Sequence, residues 1–263
     1  MSGFYIGVDG KARKIKGGYI GIDGVARKIK KGYIGVDGVA RLCWNSFSTD
    51  PVFANNSWEN IALACQLNAV PDSWAVGDQK TMTIDGTNYT IDIIGKNHDT
   101  YSDGSGHAPL TFHLHYCNNG LWVEMHNDAI NSIGWNGCTM RKTTLPSILE
   151  KMPAGVKSGI REVSKKTCKG NYGSGFQTTA DKLFLLSEVE IIGEGNLTPG
   201  TEGVQYEYYA KGNNWIKNYG GSPDDYWTRS PNGSQNFCYV DQQGVTRATT
   251  ADNPAYISFA FCL

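Results

Sequence analysis

Charge is scarce in this chain. Only 19% of its 263 residues are Asp, Glu, Lys or Arg, and 24 basic against 25 acidic side chains leave a formal net charge of −1. A dedicated nucleic-acid binder carries a clear basic excess, so that class is excluded. No run approaches the ~18 consecutive apolar residues of a membrane span, so no membrane insertion is expected. The first ten residues, Met1 to Gly10, lack the apolar core of a signal peptide, so cytoplasmic synthesis of a soluble chain is expected. The seven cysteines (Cys43, Cys65, Cys117, Cys138, Cys168, Cys238, Cys262) are odd in number and contain no Cys-x-x-Cys. They fit neither a disulfide framework nor a zinc knuckle and read as reduced, mostly buried thiols. Phosphate loops, dinucleotide fingerprints, nucleophile elbows and paired-carboxylate motifs are also missing.

The chain is instead rich in Gly (32), Tyr (14) and Trp (7) and is 40% hydrophobic. That balance suits a turn-rich α+β domain with a substantial core rather than a helical bundle. Its first part repeats every 14 residues: Tyr-Ile-Gly-Val-Asp-Gly from Tyr5, Tyr-Ile-Gly-Ile-Asp-Gly from Tyr19, and Tyr-Ile-Gly-Val-Asp-Gly from Tyr33. Each copy is a short β run, an Asp-Gly pair and a second β run. Asp9-Gly10, Asp23-Gly24 and Asp37-Gly38 therefore read as type I′ hairpin turns. Isolated hairpins are marginal in water, so residues 1–44 are expected to be an assembly or attachment module that self-associates or meets a virion partner. A small sheet folded back on its own globular domain is the alternative. Up to residue 42 there are nine Lys and Arg against three Asp, for +6, and the remaining 15 basic and 22 acidic residues leave −7. No aromatic residue interleaves with the basic run, so a solvated strand face or an acidic partner is favoured over nucleic acid.

Residues 45–263 form the body. Helical spacing behind a Ser57 cap predicts a first helix over 57–67. Strands are expected at 80–85 and 87–95, joined by Asp85-Gly86, and at 110–114. Helices are expected at 139–152 and 156–164, and the run 182–190 ends in strand-like residues. Residues 193–225 read as loop, and short strands are expected at 237–241, 245–248 and 256–261. A long irregular stretch in a compact domain is usually functional, which points to the C-terminal third.

Several segments carry a resemblance: Val70-Pro71-Asp72-Ser73-Trp74-Ala75-Val76-Gly77-Asp78, residues 94–106 from Ile94-Gly95-Lys96 to Gly106, residues 179–190 from Thr179-Ala180-Asp181 to Glu190, and Tyr226-Trp227-Thr228-Arg229-Ser230-Pro231. Over about residues 56–263 the chain resembles a domain family of unknown function found in gut Firmicutes and their phages. Its C-terminal half is similar to the C-type-lectin-like fold, in its formylglycine-generating-enzyme-like subtype, of the variable proteins of diversity-generating retroelements. The frame of that pattern is present as Tyr226, Trp227, Arg229, Ser230, Pro231, Val240, Gly244, Phe259, Ala260 and Phe261. In such proteins a reverse transcriptase copies a template with errors at adenines, and the mutated copy replaces the end of the gene.

The resemblance implies a non-enzymatic display protein, associated with a phage or prophage tail, whose last forty residues bind a bacterial surface protein or glycan. The candidate ligand-binding positions are Thr228, Asn232, Ser234, Gln235, Asn236, Tyr239, Asp241, Thr246, Arg247, Thr249, Thr250, Asp252, Asn253 and Tyr256. Trp227, Arg229, Pro231 and Gly244 are read as scaffold, with Trp227 buried and Arg229 paired with an acidic residue such as Asp225 or Glu188. Tyr offers large contact area at low entropic cost and the small polar residues supply adaptable hydrogen bonds. A structural virion subunit without an external ligand is the first alternative.

A metal-dependent enzyme on the same fold is the second. No cofactor, metal or catalytic residue is assigned. The Glu-Pro-Asn, Gln-Pro-Asp and Trp-Asn-Asp signatures of calcium-dependent sugar lectins are missing, and the Asp99 to Gly106 loop lacks the closing Glu of an EF-hand. His113 and His115 alternate along one strand with His98, His107 and His126 nearby in sequence, but without a metal-binding helix motif or a Cys pair. Cys117 near His115 has no third partner in the sequence. Cys238 and Cys262 lie where formylglycine-generating oxidases carry their two cysteines, in surroundings that do not match that motif.

Overall fold

The computed structural model describes residues 5–8, 11–14, 18–22, 25–29, 31–36, 39–45, 48–118, 121–170 and 175–263. The chain divides into two compact units, Met1–Thr49 and Asp50–Leu263. In the first unit, β1 (Tyr5–Val8) pairs antiparallel with β2 (Lys11–Lys14), β3 (Gly18–Ile22) with β4 (Val25–Ile29), and β5 (Lys31–Val36) with β6 (Val39–Asn45). The Asp9-Gly10, Asp23-Gly24 and Asp37-Gly38 turns lie outside the described residues.

The second unit is mixed α and β, mostly sheet with few helices. Its first helix, α1 (Trp58–Gln66), starts where expected: the Ser57 hydroxyl accepts the Asn60 amide at 3.2 Å, satisfying a donor that the first turn leaves open. The buried face of α1 carries Trp58, Ile61, Ala62, Ala64 and Cys65. The Trp58 indole donates to the Thr81 carbonyl at 2.9 Å and so ties the helix to β7 (Gln79–Ile84). A two-residue turn leads into β8 (Thr87–Lys96). Asp85 and Gly86 both have positive φ, +49° and +78°, which is the backbone a type I′ turn requires.

β9 (Leu110–Leu114) follows, with all five residues buried. That pattern belongs to a strand covered on both faces, and β9 is the middle strand of a five-stranded sheet. On this sheet Phe53, Trp58, Trp74, Phe112 and Phe261 form one aromatic cluster, with neighbouring ring centroids 5.1–6.3 Å apart. Edge-to-face and offset contacts at this spacing add to the burial of large rings.

Beyond β10 (Trp122–Glu124) come α2 (Gly134–Gly137), a wide helical turn over Met140–Thr144 that runs into α3 (Leu145–Lys151), and α4 (Ala154–Lys157). The helix expected over 139–152 is present in substance. The helix expected over 156–164 is corrected: α4 stops at Lys157, and Val163 opens strand β11 (Val163–Cys168), paired with β12 (Phe176–Asp181). The run 182–190 is corrected too. It forms β13 (Leu183–Leu185) and then helix α5 (Glu188–Ile192), because Ser187 and Glu190 make a reciprocal capping box that outweighs the β preference of Val189 and Ile191.

The stretch 193–225 is loop-rich, with a short helix α6 (Glu207–Ala210) and a small hairpin of β14 (Lys217–Tyr219) and β15 (Ser222–Asp224). The last forty residues hold β16 (Tyr226–Asn232), β17 (Asn236–Val240), β18 (Thr246–Thr250), β19 (Pro254–Tyr256) and β20 (Phe259–Cys262). The single strand expected over 256–261 is two. β19 belongs to the sheet ordered β10-β19-β16-β17-β18, whereas β20 crosses to the sheet ordered β13-β20-β9-β8-β7. Ile257 and Ser258 make the crossing, both fully buried, with the Ser258 hydroxyl bonded to Leu114 O.

Candidate functional site

β16 is buried from Tyr226 through Pro231. Such a strand carries a charged residue only if that charge is fully paired, and Arg229, with no exposed surface, is. Its Nε donates to the Thr167 hydroxyl at 3.0 Å, and Nη1 to the Leu185 carbonyl at 2.9 Å and to the Glu190 carboxylate. Nη2 reaches Glu190 Oε1 at 2.9 Å and the Glu202 carbonyl at 3.0 Å. The sequence reading of Arg229 as paired scaffold fits this geometry, but its expected partners are corrected. Glu188 is occupied by the backbone of Leu197 and Thr198, and the partner is Glu190.

Glu190 has two tasks. Its carboxylate accepts the Ser187 amide at 3.1 Å, closing the capping box of α5, while it holds Arg229. It also meets Lys165 Nζ at 2.7 Å, which in turn meets Asp99 at 2.7 Å and the Tyr206 hydroxyl at 3.0 Å. Asp99, Lys165, Glu190 and Arg229 thus alternate in sign through the interior. Burial alone would raise the two acids, yet Lys165 holds Asp99 down at about 2, and Arg229 with Lys165 keeps Glu190 below its ordinary value. Each ion costs several kcal/mol to desolvate, a cost that the mutual attraction along the row offsets while it ties β11, α5 and β16 together.

Next to this row, Glu202 accepts the Cys168 amide at 2.7 Å and the Ser230 hydroxyl. Burial pushes its carboxyl up, which the hydrogen bonds only partly oppose. Trp227 is also buried, with its indole donating to the Val123 carbonyl at 2.9 Å. Gly244 sits at φ +77°, a conformation that suits glycine, and a Cβ there would come within 3.0 Å of Trp215 and Ile216. Pro231 is buried opposite Phe237.

On this base stand two turns. The β16–β17 turn and the β18–β19 turn meet at one end of the sheet, where the Ala251 amide donates to the Gln235 carbonyl at 2.9 Å. The buried Asn131 fixes the first turn from outside, its amide side chain donating to the carbonyls of Asn232 and Asn236. Ser234, Gln235, Asp252 and Asn253 are exposed there, with Asn232, Asn236, Thr249 and Thr250 half-buried beside them. The structure therefore brings these eight candidates together. Arg247 is exposed and Tyr239 half-buried, and the two face each other across β17 and β18.

Three candidates are corrected. Thr228 has no exposed surface and its hydroxyl donates to the Cys238 carbonyl at 2.9 Å, so it braces two strands. Asp241 is 5% exposed, and its carboxylate accepts the amides of Gln243 and Val245 and meets Arg247 Nε, which makes it the anchor of its own turn. Thr246 is buried at 9% exposure opposite Val240. Tyr256 lies apart from the turns: its ring stacks on Tyr219 at 4.4 Å and meets the exposed Trp122 edge-on at 4.7 Å. The sequence reading missed Asn131, Tyr219 and Trp122. An aromatic residue entering the Gly220-Gly221 turn was the signal for Tyr219, whereas Asn131 lies a hundred residues from the turn it holds.

The histidines, Asp99 and the cysteines are engaged elsewhere. His113 is buried between Tyr209 and Ser258, His115 bonds Asp92, and His126 bonds Thr139. Asp99 faces Lys165 while Asp103 pairs with Arg161. Among the described residues no group of three His, Cys, Asp or Glu side chains is placed to hold a metal ion. The six cysteines described are free and buried, and Cys238 and Cys262 lie in different sheets. Burial pushes the thiols of Cys65, Cys117 and Cys138 up to about 12, far from the thiolate a nucleophile needs. No helix among the described residues is long and apolar enough to cross a membrane.

A family model described as Domain of unknown function (DUF6273) matches residues 118–263, more than half of the chain, and takes in every candidate ligand-binding position from Thr228 to Tyr256. No curated protein and no solved structure matches the chain. By this match the chain is a member of the family of domains of unknown function DUF6273.

Proposed function

We propose that the protein is a non-enzymatic ligand-binding display protein whose binding face is carried by the two joined turns and the adjoining strands within residues 228–258. One observation carries this reading: Ser234, Gln235, Asp252 and Asn253 stand exposed on turns that are bonded to each other, above strands locked by Arg229, Glu190 and Trp227. A rigid base under small polar side chains allows the side chains to change without disturbing the fold, the arrangement found wherever binding loops sit on a fixed scaffold. The pairing of Arg229, Glu190, Lys165 and Asp99 with one another, and the thiols pushed up by burial, support binding over catalysis.

In this proposal the fold is C-type-lectin-like, of the formylglycine-generating-enzyme-like subtype. The setting is a phage or prophage tail, the ligand is a bacterial surface protein or glycan, and residues 1–44 supply assembly or attachment through hairpin repeats. Diversification by a retroelement would act on the turn residues and spare the buried frame. The test is to sequence the 3′ end of the gene across a population of its source and search the flanking DNA for a near-copy and a reverse transcriptase. Adenine-specific differences in the codons for Ser234, Gln235, Asp252 and Asn253, with Thr228 and Arg229 unchanged, are the expected result. An invariant 3′ end without a template overturns the diversified face.

A further inference from the structure

A concave surface lies outside the turns. β8, the segment after β9 and the β14–β15 turn enclose a cleft of about 430 Å³, within the size range of small-ligand sites. Three tyrosines, Tyr89, Tyr116 and Tyr219, line it, together with Asn88, Thr90, Asn218 and the thiol-bearing Cys117. Among its described lining residues there is neither a charged nor an aliphatic side chain.

The walls are fixed to one another. The His115 amide donates to the Thr90 carbonyl at 2.9 Å, and the Cys117 amide to the Asn218 carbonyl at 3.1 Å. Lys217, buried beneath, donates its ammonium to the carbonyls of Leu114 and His115 and is spent there. Tyr116 is 47% exposed and packs edge-on against the His115 ring at 4.4 Å, which Asp92 holds at 2.8 Å. Gly220 and Gly221, both at positive φ with open space where a side chain would stand, keep the third wall low and open. From Tyr219 the aromatic surface continues through Tyr256 to Trp122.

We propose that this cleft binds a neutral oligosaccharide. A sugar ring presents a flat face of C–H groups that packs on a tyrosine ring and a rim of hydroxyls that both donate and accept. Asn88, Asn218 and Thr90 supply donors and acceptors of the same kind without charge. The other ligand classes fit less well. An anionic sugar or nucleic-acid strand needs Lys or Arg at the walls, whereas Asp224 and Asp225 lie near Cys117. A hydrophobic peptide needs aliphatic pockets for its side chains, and the lining has none. This inference stands on the cleft alone and does not depend on the reading of the turns.

The test is calorimetric titration of the full chain with three neutral probes, cellotetraose, maltotetraose and chitotetraose, each up to about 10 mM, a range that captures weak single-site binding. At least one should bind. Tyr116→Ala and Asn218→Ala should each weaken that probe about tenfold or more, Tyr116→Phe should retain it, and Gln235→Arg on the turns should leave it unchanged. Tyr116 is exposed, so its variant keeps the fold, which circular dichroism verifies. Binding of none of the three overturns the proposal. So does binding that survives Tyr116→Ala and Asn218→Ala, or that is lost on Gln235→Arg alone.

Discussion

Arg229 and Glu190 form a buried two-pronged pair in which Arg229 Nη2 lies 2.9 Å from Glu190 Oε1 and Nη1 bonds Oε2. The same carboxylate caps α5 and contacts Lys165, so one acid joins a helix start, a strand of the small β11–β12 sheet and the strand that carries the candidate turns.

Removing one member of this pair leaves a buried charge without its partner. Arg229→Met should therefore destabilise the second unit by about 3–5 kcal/mol. Arg229→Lys should be nearly as damaging, because an ammonium cannot reproduce the forked geometry or reach Thr167, Leu185 and Glu202 together. Urea unfolding followed by tryptophan fluorescence measures both, and a Lys variant as stable as the parent would contradict this role.

Asp99 and Glu190 are held below their ordinary values in the folded chain, Asp99 at about 2 against 3.8. Acids depressed by folding contribute stability that is complete above their unfolded values and is lost as pH falls through the folded ones. Stability should accordingly fall between about pH 4 and pH 2. Replacing Lys165 with Met should weaken that dependence on pH, as seen in thermal melts across the range.

Glu202 has the opposite sign. Burial raises its carboxyl, so the neutral form favours folding and its contribution is present at low pH and lost as pH rises through the folded value. Glu202→Gln keeps an acceptor for the Cys168 amide. It should match or exceed the parent in stability at pH 8 and lose that advantage at pH 4, in paired denaturation curves.

The buried frame and the turns should separate cleanly under mutation. Trp227→Ala removes a fully buried indole and should cost about 3–5 kcal/mol. Ser234→Ala and Gln235→Ala, on the exposed turn, should stay within about 0.5 kcal/mol. Asp241→Ala should cost more than Arg247→Ala, because Asp241 also holds the amides of Gln243 and Val245. Midpoints of chemical denaturation decide each comparison.

Alkylation offers a check on the interior. Cys65, Cys117, Cys138 and Cys168 carry thiols pushed up to about 12 by burial. Iodoacetamide at pH 8 should leave these four unmodified in the native protein and modify them after unfolding in guanidinium, as read by peptide mass spectrometry.

Local chemistry made several elements legible. Ser57 ahead of an apolar helical period placed α1, and Asp85-Gly86 between alternating β residues placed the β7–β8 hairpin. The alternation of Leu110, Phe112 and Leu114 with Thr111 and His113 placed β9. Where two local signals competed, the reading failed: the end of the run 182–190 read as strand-like, but the Ser187–Glu190 box made a helix. Val163 onward read as the end of a helix, but its pairing with β12 made a strand. That pairing is a contact between segments, which no local window contains.

The candidate site divides the same way. Sequence alone showed short strands separated by polar turn segments, because turn residues and hydrophobic alternation are properties of neighbours along the chain, whereas the Gly244 turn and the frame from Tyr226 to Pro231 came from the resemblance. Tertiary structure decided that Arg229 pairs with Glu190 rather than Glu188, and that Thr228, Asp241 and Thr246 are interior. It also brought Tyr89, Tyr116 and Tyr219 from three distant segments to one cleft. Those outcomes depend on which strands lie side by side and which carboxylate the burial of a neighbouring cation leaves in reach. Both are settled by packing across the sheets, where distance along the chain no longer limits contact.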